Sequence, residues 1–339
     1  MSSLDKRKIK IALQKLSEFM ANPSNEFTDV INSSFHNNGW FTVEEVQRSL
    51  VSLSKMLNTN DLDTWLTDVK LSQNPKKVGL ILAGNIPLVG FHDVLCVLAT
   101  GNIALIKMSS SDDKLLPALL KQLLIVEPVF ANQIIYTERL KDFDAIIATG
   151  SINTSRYFDY YFGKVPNIIR KNRNSIAVLN GNETKAELEN LGHDIFDYFG
   201  LGCRNVSKIY VPANYDLKNL FEPIEKYQPI INHFKYNNNY DYNKSIYLVN
   251  GVKHFDNGFL LVKGDENFVS PLAVLFYEEY NSLEEIEEKI ILNDEQIQCV
   301  VSNIDLKINK ETIGFGDSQN PKLWDYADNV NTIDFLQSL

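Results

Sequence analysis

A cysteine flanked by glycines carries the clearest chemistry in this sequence. Residues 199–205 read Phe-Gly-Leu-Gly-Cys-Arg-Asn and lie between a predicted helix and a predicted strand. Because glycine accepts backbone angles that a side chain forbids, Gly200 and Gly202 allow a tight turn that presents Cys203. An exposed cysteine with a lowered pKa is a nucleophile, and Arg204 would stabilise its thiolate. The alternative interpretation is a buried structural cysteine.

A second candidate is the turn Gly84-Asn85-Ile86-Pro87, which follows a predicted strand. The side-chain amide of Asn85 would donate a hydrogen bond into a cleft, as the oxyanion hole of an acyl-transfer enzyme requires. The alternative is an ordinary turn, because glycine, asparagine and proline are all turn-forming residues.

Polar residues that follow two further predicted strands are typical of a nucleotide site. A lysine with neighbouring hydroxyls suits a ribose or a phosphate, and a glycine at a helix N-terminus can approach a pyrophosphate. The alternatives are a solvated loop and simple helix capping. The GxGxxG fingerprint of an ordinary dinucleotide fold is missing. The candidate cofactor-binding residues are Lys107, Ser109, Ser110, Thr149, Gly150 and Ser151.

The elements that would position these residues alternate between strands and helices. After a helical first 75 residues, strands are predicted at 78–83, 103–107, 133–136 and 144–148, with a helix to about Thr100 after the first strand and a helix at 113–124 after the second. This alternation predicts a doubly wound parallel sheet, whose ligands lie at the carboxyl ends of the strands. A second α/β unit is predicted from Asn174. Its elements are strands at 175–179, 206–211 and 271–277, helices at 185–199 and 282–292, and a loop at 236–243.

Composition narrows the possible partners and compartments. The chain has 339 residues, 44% of them hydrophobic, and a net charge of −10. A surface of that sign repels nucleic acid and anionic lipid, and no apolar run reaches the roughly 20 residues that span a bilayer. The cysteines are few and widely spaced, which predicts neither a disulfide framework nor a metal site. We therefore expect a cytoplasmic protein without a metal ion, without nucleic-acid binding and without membrane insertion.

The order of the motifs resembles the aldehyde dehydrogenase superfamily. Within it, the chain is most similar to the acyl-CoA reductases related to the fatty acid reductase of bacterial bioluminescence. The resemblance covers roughly residues 78–300, and residues 268–274 look like a degenerate form of the superfamily's Phe-Gly-Pro strand. The matching residues are Asn85, Pro87, Gly101, Asn102, Lys107, Thr149, Gly150, Ser151, Gly200, Gly202 and Cys203.

The resemblance implies an aldehyde dehydrogenase-like α/β fold, in which a Rossmann-type nucleotide-binding domain is joined to a smaller α/β catalytic domain. We expect a helical N-terminal segment at 1–75 and the nucleotide-binding domain at 76–173. The catalytic domain is expected at 174–312, and a C-terminal segment at 313–339 is expected to return to the nucleotide-binding domain.

Departures from the superfamily pattern favour one reaction within it. Relatives that make free acids carry a Glu-Leu-Gly-Gly segment whose glutamate activates water, whereas no glutamate occurs here between Glu138 and Glu183. The glutamate that commonly holds the nicotinamide ribose is replaced here by Asn267. Ser110 stands where many NAD-preferring relatives have a glutamate, and a hydroxyl does not repel the 2′-phosphate of NADP.

The resemblance therefore predicts that NADPH reduces a fatty acyl-CoA, or another acyl thioester, to the aldehyde through an acyl-enzyme on Cys203. The Asn85 amide and the Cys203 backbone N–H would hold the oxyanion. NAD as the cofactor and a homo-oligomer both remain open. The alternatives are a different electrophile on the same fold, an acyl phosphate or a free aldehyde, and a degenerate, non-catalytic binding protein.

Overall fold

The chain divides into two compact units. A computed structural model describes residues 4–150, 157–158, 160–171 and 173–339. The first unit comprises Met1–Asn172 and Asn320–Leu339, and the second comprises Arg173–Gln319. In the described part of the chain, every helix is too short or too polar to cross a membrane.

Four helices open the first unit: α1 (Lys6–Ala21), α2 (Asn25–Asn37), α3 (Val43–Met56) and α4 (Thr59–Asp68). Each begins after a residue whose side chain accepts a backbone N–H of the first turn, which satisfies a donor that the helix leaves unpaired. Their apolar faces belong to the same hydrophobic core as the sheet that follows. The four helices therefore form a layer of the first unit. Their apolar faces pack against the helices that connect the strands of the sheet. The four capping residues are Asp5, Ser24, Thr42 and Asn58.

The first sheet is parallel throughout, which confirms the predicted doubly wound arrangement. Its strands are β1 (Lys77–Ile81), β2 (Ile103–Lys107), β3 (Ile134–Tyr136), β4 (Ala145–Thr149) and β5 (Asn167–Arg170), in the order β3-β2-β1-β4-β5. Helices α5 (Phe91–Ala99) and α6 (Leu115–Val126) connect the first three strands. Strand β5 is not predicted from the sequence, because its four residues mix polar and apolar side chains without a turn signal.

The second sheet has seven strands in the order β12-β11-β6-β7-β10-β9-β8, and only the β8–β9 pair is antiparallel among the pairings found. Its helices are α7 (Lys185–Phe196), α8 (Lys218–Ile224), α9 (Phe234–Val249) and α10 (Leu283–Leu292). Helix α11 (Thr332–Gln337) lies in the part of the C-terminus that belongs to the first unit. The strands are β6 (Asn174–Val178), β7 (Val206–Pro212), β8 (Phe255–Asp256), β9 (Leu261–Gly264), β10 (Val274–Tyr280), β11 (Ile297–Val301) and β12 (Thr312–Ile313).

The prediction of a loop at 236–243 is wrong, because these residues lie inside helix α9. The three consecutive asparagines at 237–239 suggest a loop, since asparagine is a weak helix former. Tertiary packing outweighs that propensity: Tyr236, Tyr240 and Tyr247 recur at helical spacing on a buried face. The hydroxyl of Tyr236 donates to the carbonyl of Phe259 at 3.0 Å.

The C-terminal boundary also differs from the one expected from the sequence. Residues 313–319 belong to the second unit, whereas the sequence analysis assigned them to a C-terminal segment that returns to the nucleotide-binding domain. A long-range interaction explains the difference: the Asp194 carboxylate accepts hydrogen bonds from the backbone N–H groups of Gly316 and Ser318. The chain returns to the first unit only from Asn320.

A buried ion pair joins three elements of the first unit. The guanidinium of Arg170, the last residue of β5, lies 2.6 Å from the carboxylate of Asp93 in α5. It also donates to the hydroxyl of Thr332 at the start of α11. Both charged side chains are less than a tenth exposed. Burial in a medium of low polarity makes an unpaired charge costly at this position.

We expect Arg170→Met to lower the free energy of unfolding by about 3–5 kcal/mol, because it leaves the Asp93 carboxylate buried and unpaired. The double variant Arg170→Met/Asp93→Leu should recover most of that loss, since it removes both charges. Urea unfolding of the three proteins measures both effects. A double variant as unstable as the single one would contradict this account.

Candidate active site

The backbone that leads to the candidate nucleophile is left-handed at three consecutive residues. Helix α7 ends at Phe196, before the predicted end at Phe199, and a 3₁₀ turn follows. Tyr198, Phe199 and Gly200 have φ values of 54°, 57° and 77°. Left-handed residues other than glycine cost about 1–3 kcal/mol each and persist only where the surroundings impose them. The glycines carry a sequence signal for this turn, whereas Tyr198 and Phe199 carry none.

Aromatic packing holds this strained segment. The side chains of Tyr198 and Phe199 are 5% and 8% exposed. The Phe199 ring lies 4.2 Å from the ring of His233, measured between centroids, and 6.5 Å from that of Tyr236 in α9. Helix α9, which the sequence predicts as a loop, therefore supplies part of the packing behind the candidate nucleophile.

Cys203 is exposed, whereas Cys96 and Cys299 are buried. Burial, together with the nearby carboxylate of Asp93, raises the pKa of the Cys96 thiol well above its ordinary value. Since the thiolate is the reactive form of cysteine, Cys96 is a poor nucleophile. Of the three cysteines, Cys203 alone combines access to solvent with a turn at the end of a helix.

The side chain of Asn205 fixes the turn around Cys203. Its Oδ1 accepts a hydrogen bond from the backbone N–H of Gly202 at 2.8 Å. Its Nδ2 donates to the carbonyls of Asp194 and Asp197, at 3.1 and 2.8 Å, which lie at the end of α7. The side chain is almost fully buried. One amide thus ties the residue before the cysteine to the end of the helix, and sequence reasoning did not assign it a role.

The carbonyl of Cys203 is also held. It accepts a hydrogen bond from the hydroxyl of Ser175 in β6 at 3.0 Å, and the same hydroxyl accepts one from the backbone N–H of Cys299 in β11. Ser175 has no solvent-exposed surface. Two neighbouring strands of the second sheet, β6 and β11, therefore fix the main chain at Cys203.

A buried carboxylate connects this turn with the Gly-Phe-Gly segment near the C-terminus. Asp194 accepts hydrogen bonds from the N–H groups of Gly316 and Ser318, at 2.7 and 3.0 Å. Burial raises the pKa of Asp194 to about 6, although these hydrogen bonds oppose the shift. The Nε of Arg204 donates to the carbonyl of Ser318 at 2.8 Å. Arg204, predicted to stabilise the Cys203 thiolate, is therefore anchored to this segment through its Nε.

In the first unit, the candidate oxyanion turn and the candidate nucleotide loop are in close contact. Asn85 is exposed in the turn after β1, and Ser109 lies in the loop after the neighbouring strand β2. A Cβ on Gly84 would lie 2.5 Å from the Ser109 hydroxyl oxygen, so only glycine permits this approach. The parallel sheet thus brings together two of the turns that the sequence singled out.

The remaining candidate cofactor residues lie at the same carboxyl edge. Lys107 ends β2 and is exposed, as is Ser110, while Thr149 and Gly150 are half-buried at the end of β4. Ser151 lies outside the described residues. An ammonium group, hydroxyls and a glycine at this edge fit the charged phosphates and ribose hydroxyls of a dinucleotide. Within the described ranges, no cluster of three or more His, Cys, Asp or Glu side chains is arranged to bind a metal ion.

Asn267 is held by a local interaction. Its backbone N–H and its Nδ2 both donate to Oδ1 of Asp265, at 2.9 and 2.8 Å. Lys263 also pairs with Asp265, at 2.6 Å, and this pairing lowers the pKa of that carboxyl. The position where the resemblance places a ribose-binding glutamate thus carries an amide bonded to its own loop.

His193 in α7 and His92 in α5 both make structural contacts. The Nδ1 of His193 lies 3.1 Å from the carboxylate of Asp197, and its ring packs edge-on against Tyr227. The Nε2 of His92 lies 3.0 Å from the carbonyl of Leu323 in the first unit.

We expect Asn205→Asp to slow the alkylation of Cys203 by iodoacetamide at pH 7 roughly tenfold, because small displacements of a reacting group are costly. The aspartate keeps an acceptor for the Gly202 N–H but loses both donors to α7. Mass spectrometry of the Cys203 peptide over time measures the rate. Asn250→Asp, which alters an exposed amide bonded to its own helix, is the control. Unchanged alkylation of folded Asn205→Asp would refute the role of Asn205.

Asp112, beside the Asn85 turn, makes stability depend on pH. Burial raises its pKa from 3.8 to about 6. The folded protein therefore binds this proton more tightly than the unfolded chain, and the resulting stabilisation is lost as pH rises from about 4 through 6. Asp112→Asn, which stays neutral, should raise the free energy of unfolding at pH 8 by about 2 kcal/mol and change it little at pH 4. Urea unfolding at both pH values measures this, with the exposed Asp113→Asn as control. An equal effect at both pH values would refute the assignment.

Comparison with solved structures shows the fold. The chain is similar to aldehyde dehydrogenase 21 from Physcomitrella patens, with a TM-score of 0.70, 13% identity, and 98% of this chain and 85% of that one covered. It is similar to an E. coli NADP-dependent enzyme, with a TM-score of 0.67, 12% identity, and 93% and 79% covered. It is also similar to the P. syringae indole-3-acetaldehyde dehydrogenase AldA in complex with NAD⁺ and IAA. The TM-score is 0.60 and the identity 12%, and the match covers 88% of this chain and 72% of that one.

Sequence comparison identifies the family. No curated protein sequence matches the chain significantly. The sequence model of the acyl-CoA reductase (LuxC) family matches residues 40–222, which is more than half of the chain. This range includes the Asn85 turn, the loop after β2 and the Cys203 turn. The resemblance inferred from the order of the motifs is thereby confirmed: the chain belongs to the acyl-CoA reductase (LuxC) family and has the aldehyde dehydrogenase fold.

Proposed function

We propose that this protein uses NADPH to reduce a fatty acyl thioester, such as an acyl-CoA, to the aldehyde, with Cys203 as the nucleophile. The observation that carries the proposal is the exposure of Cys203 on a strained turn whose flanking backbone is fixed by Asn205 and Ser175. Such a turn presents a thiol while restricting its motion, as attack on a carbonyl requires.

In the first step, the thiolate of Cys203 attacks the thioester carbonyl, whose π electrons move to the oxygen. We assign the stabilisation of that oxyanion to the Asn85 amide and the Cys203 backbone N–H. Collapse of the tetrahedral intermediate breaks the bond to the original sulfur and releases coenzyme A as its thiolate. The acyl group is then bound to Cys203 as a new thioester.

When bound, the nicotinamide cofactor supplies the hydride that reduces this acyl group. The residues assigned to hold it are Lys107, Ser109, Ser110, Thr149, Gly150 and Ser151. Exposed Lys107 and Ser110 support the assignment, and the absence of a carboxylate at position 110 supports NADPH over NADH. After reduction, the thiohemiacetal on Cys203 transfers its hydroxyl proton to a base or to water and expels the thiolate, which releases the aldehyde.

The missing water-activating base supports reduction over oxidation to a free acid. The stretch from Arg170 to Ser175 stands where acid-forming relatives carry their glutamate, and Arg170 itself is occupied by the buried pair with Asp93. Without an activated water, an acyl-enzyme at Cys203 hydrolyses slowly, whereas hydride transfer needs no such base.

The cytoplasm is the compartment that this chemistry favours. No two of the three cysteines form a disulfide, as a reducing compartment maintains. A compartment that contains both NADPH and reduced coenzyme A also keeps the Cys203 thiol available for attack.

We expect Cys203→Ala to abolish acyl-CoA-dependent oxidation of NADPH and to abolish the covalent acyl adduct. The substitution removes the exposed sulfur atom to which the acyl group would be bound, and it leaves an exposed turn residue that the fold tolerates. Intact-mass spectrometry after mixing the enzyme with a panel of acyl-CoAs, without NADPH, measures the adduct and reveals the preferred chain length.

The control for this experiment is Cys299→Ala, which removes a buried thiol and should retain the adduct. Normal turnover by Cys203→Ala would refute the assignment of the nucleophile. An adduct that forms with acyl phosphates and not with acyl-CoAs would instead assign a different electrophile. Failure of every acyl donor to modify the wild-type protein would favour a non-catalytic binding protein.

A further inference from the structure

Two side chains from the N-terminal helices bind the backbone of the turn that bears Asn85. The Nδ2 of Asn38, at the end of α2, donates to the carbonyl of Gly84 at 3.2 Å. The hydroxyl of Ser49, in α3, donates to the carbonyl of Pro87 at 2.8 Å. These two carbonyls lie on either side of Asn85, so the turn is held from the helical layer both before and after that residue.

The opposite side of the turn is held by the loop after β2. A carboxylate oxygen of Asp112 accepts a hydrogen bond from the backbone N–H of Leu88 at 3.0 Å. Leu88 is left-handed, with a φ of 59°, a conformation that a leucine adopts only where its surroundings impose it. The Nδ2 of Asn38 also lies 3.4 Å from the carbonyl of Ser111 in the same loop, and thus connects the two sides.

The side chains that bind the turn are almost fully buried. Asn38, Ser49 and Asp112 are 9%, 5% and 5% exposed, whereas Asn85 itself is exposed. A buried polar group without a partner costs about 1–3 kcal/mol. Their hydrogen bonds go to main-chain groups that flank Asn85, so they restrict its backbone and leave its amide accessible.

We propose that Asn38, Ser49 and Asp112 form a clamp that positions the Asn85 amide for catalysis. This inference rests on the proposed function, in which Asn85 stabilises the oxyanion. It gives the N-terminal helices a positioning role, because two of their side chains orient a donor that lies outside the helical segment. Asn38, Ser49 and Asp112 are positioning residues, because they act through the turn and not on the substrate.

The clamp should affect the rate of the chemical step more than substrate binding. A donor stabilises the oxyanion only when it lies 2.7–3.1 Å from the place where charge develops. A displacement of about 1 Å can cost roughly 10²-fold in rate. Loosening the turn therefore lowers kcat and leaves KM for the acyl thioester nearly unchanged.

Two substitutions loosen the clamp from the helical side with little change in volume. Asn38→Asp keeps the side-chain oxygen that accepts from the N–H of Trp40 but loses both donors. Ser49→Ala removes the hydroxyl. The matched control is Ser34→Ala, because this serine is equally buried in the same layer and its hydroxyl bonds within its own helix. We expect kcat to fall roughly tenfold in the first two proteins and less than twofold in the control.

A double-mutant cycle separates positioning from general stability. Asn85→Ala should lower kcat by ~10²–10³. If the clamp acts through Asn85, then adding Asn38→Asp or Ser49→Ala to Asn85→Ala should change kcat less than twofold. A merely structural contact would lower kcat by the same factor in both backgrounds. All proteins are checked for folding by circular dichroism, and kcat and KM are measured from acyl-CoA-dependent oxidation of NADPH.

The outcomes distinguish this inference from the function on which it rests. Losses that disappear in the Asn85→Ala background support the clamp. Equal losses in both backgrounds, or no loss in folded Asn38→Asp and Ser49→Ala, overturn it while leaving the proposed function intact. Normal turnover by Asn85→Ala overturns the oxyanion assignment itself. No acyl-CoA-dependent oxidation by the wild-type protein overturns the proposed function.

Discussion

The hydrogen bonds of the buried Asn205 amide are the interaction on which the geometry of the Cys203 turn depends. The amide joins the N–H of Gly202 to two carbonyls at the end of α7, so the turn is bonded directly to the end of the helix. The adjoining backbone is left-handed at Tyr198 and Phe199, a conformation that aromatic packing must impose. Strain and hydrogen bonding therefore act together: packing bends the chain, and one side chain fixes where the bend delivers Cys203.

The two candidate reactive residues share a physical arrangement. Cys203 and Asn85 are exposed, while the main chain beside each is bound by side chains that are almost fully buried. A buried carboxylate lies next to each turn, Asp194 in one unit and Asp112 in the other, and burial raises the pKa of both to about 6. In each unit, burying a carboxyl group costs free energy, and the hydrogen bonds of that group hold backbone N–H groups in place.

Membership of the acyl-CoA reductase family gives these features their meaning, and the departures from the wider superfamily refine it. The segment where acid-forming relatives place a base begins at Arg170, the last residue of β5. The side chain of Arg170 is buried against Asp93. Asn267, where the resemblance to the superfamily places a ribose-binding glutamate, is bonded to its own loop. Arg170 and Asn267 thus make structural contacts in this chain.

Local patterns in the sequence determined the strand and helix alternation, the parallel sheet and the exposed turn at Cys203, because each depends on residues close together in the chain. Tertiary structure alone decided the rest. Helix α9 forms against asparagine's propensity because its tyrosines are buried. Asn38, Ser175 and Asn205 carry no local signal for their roles. Their partners become visible only after folding, since burial and long-range hydrogen bonds are properties of the packed chain.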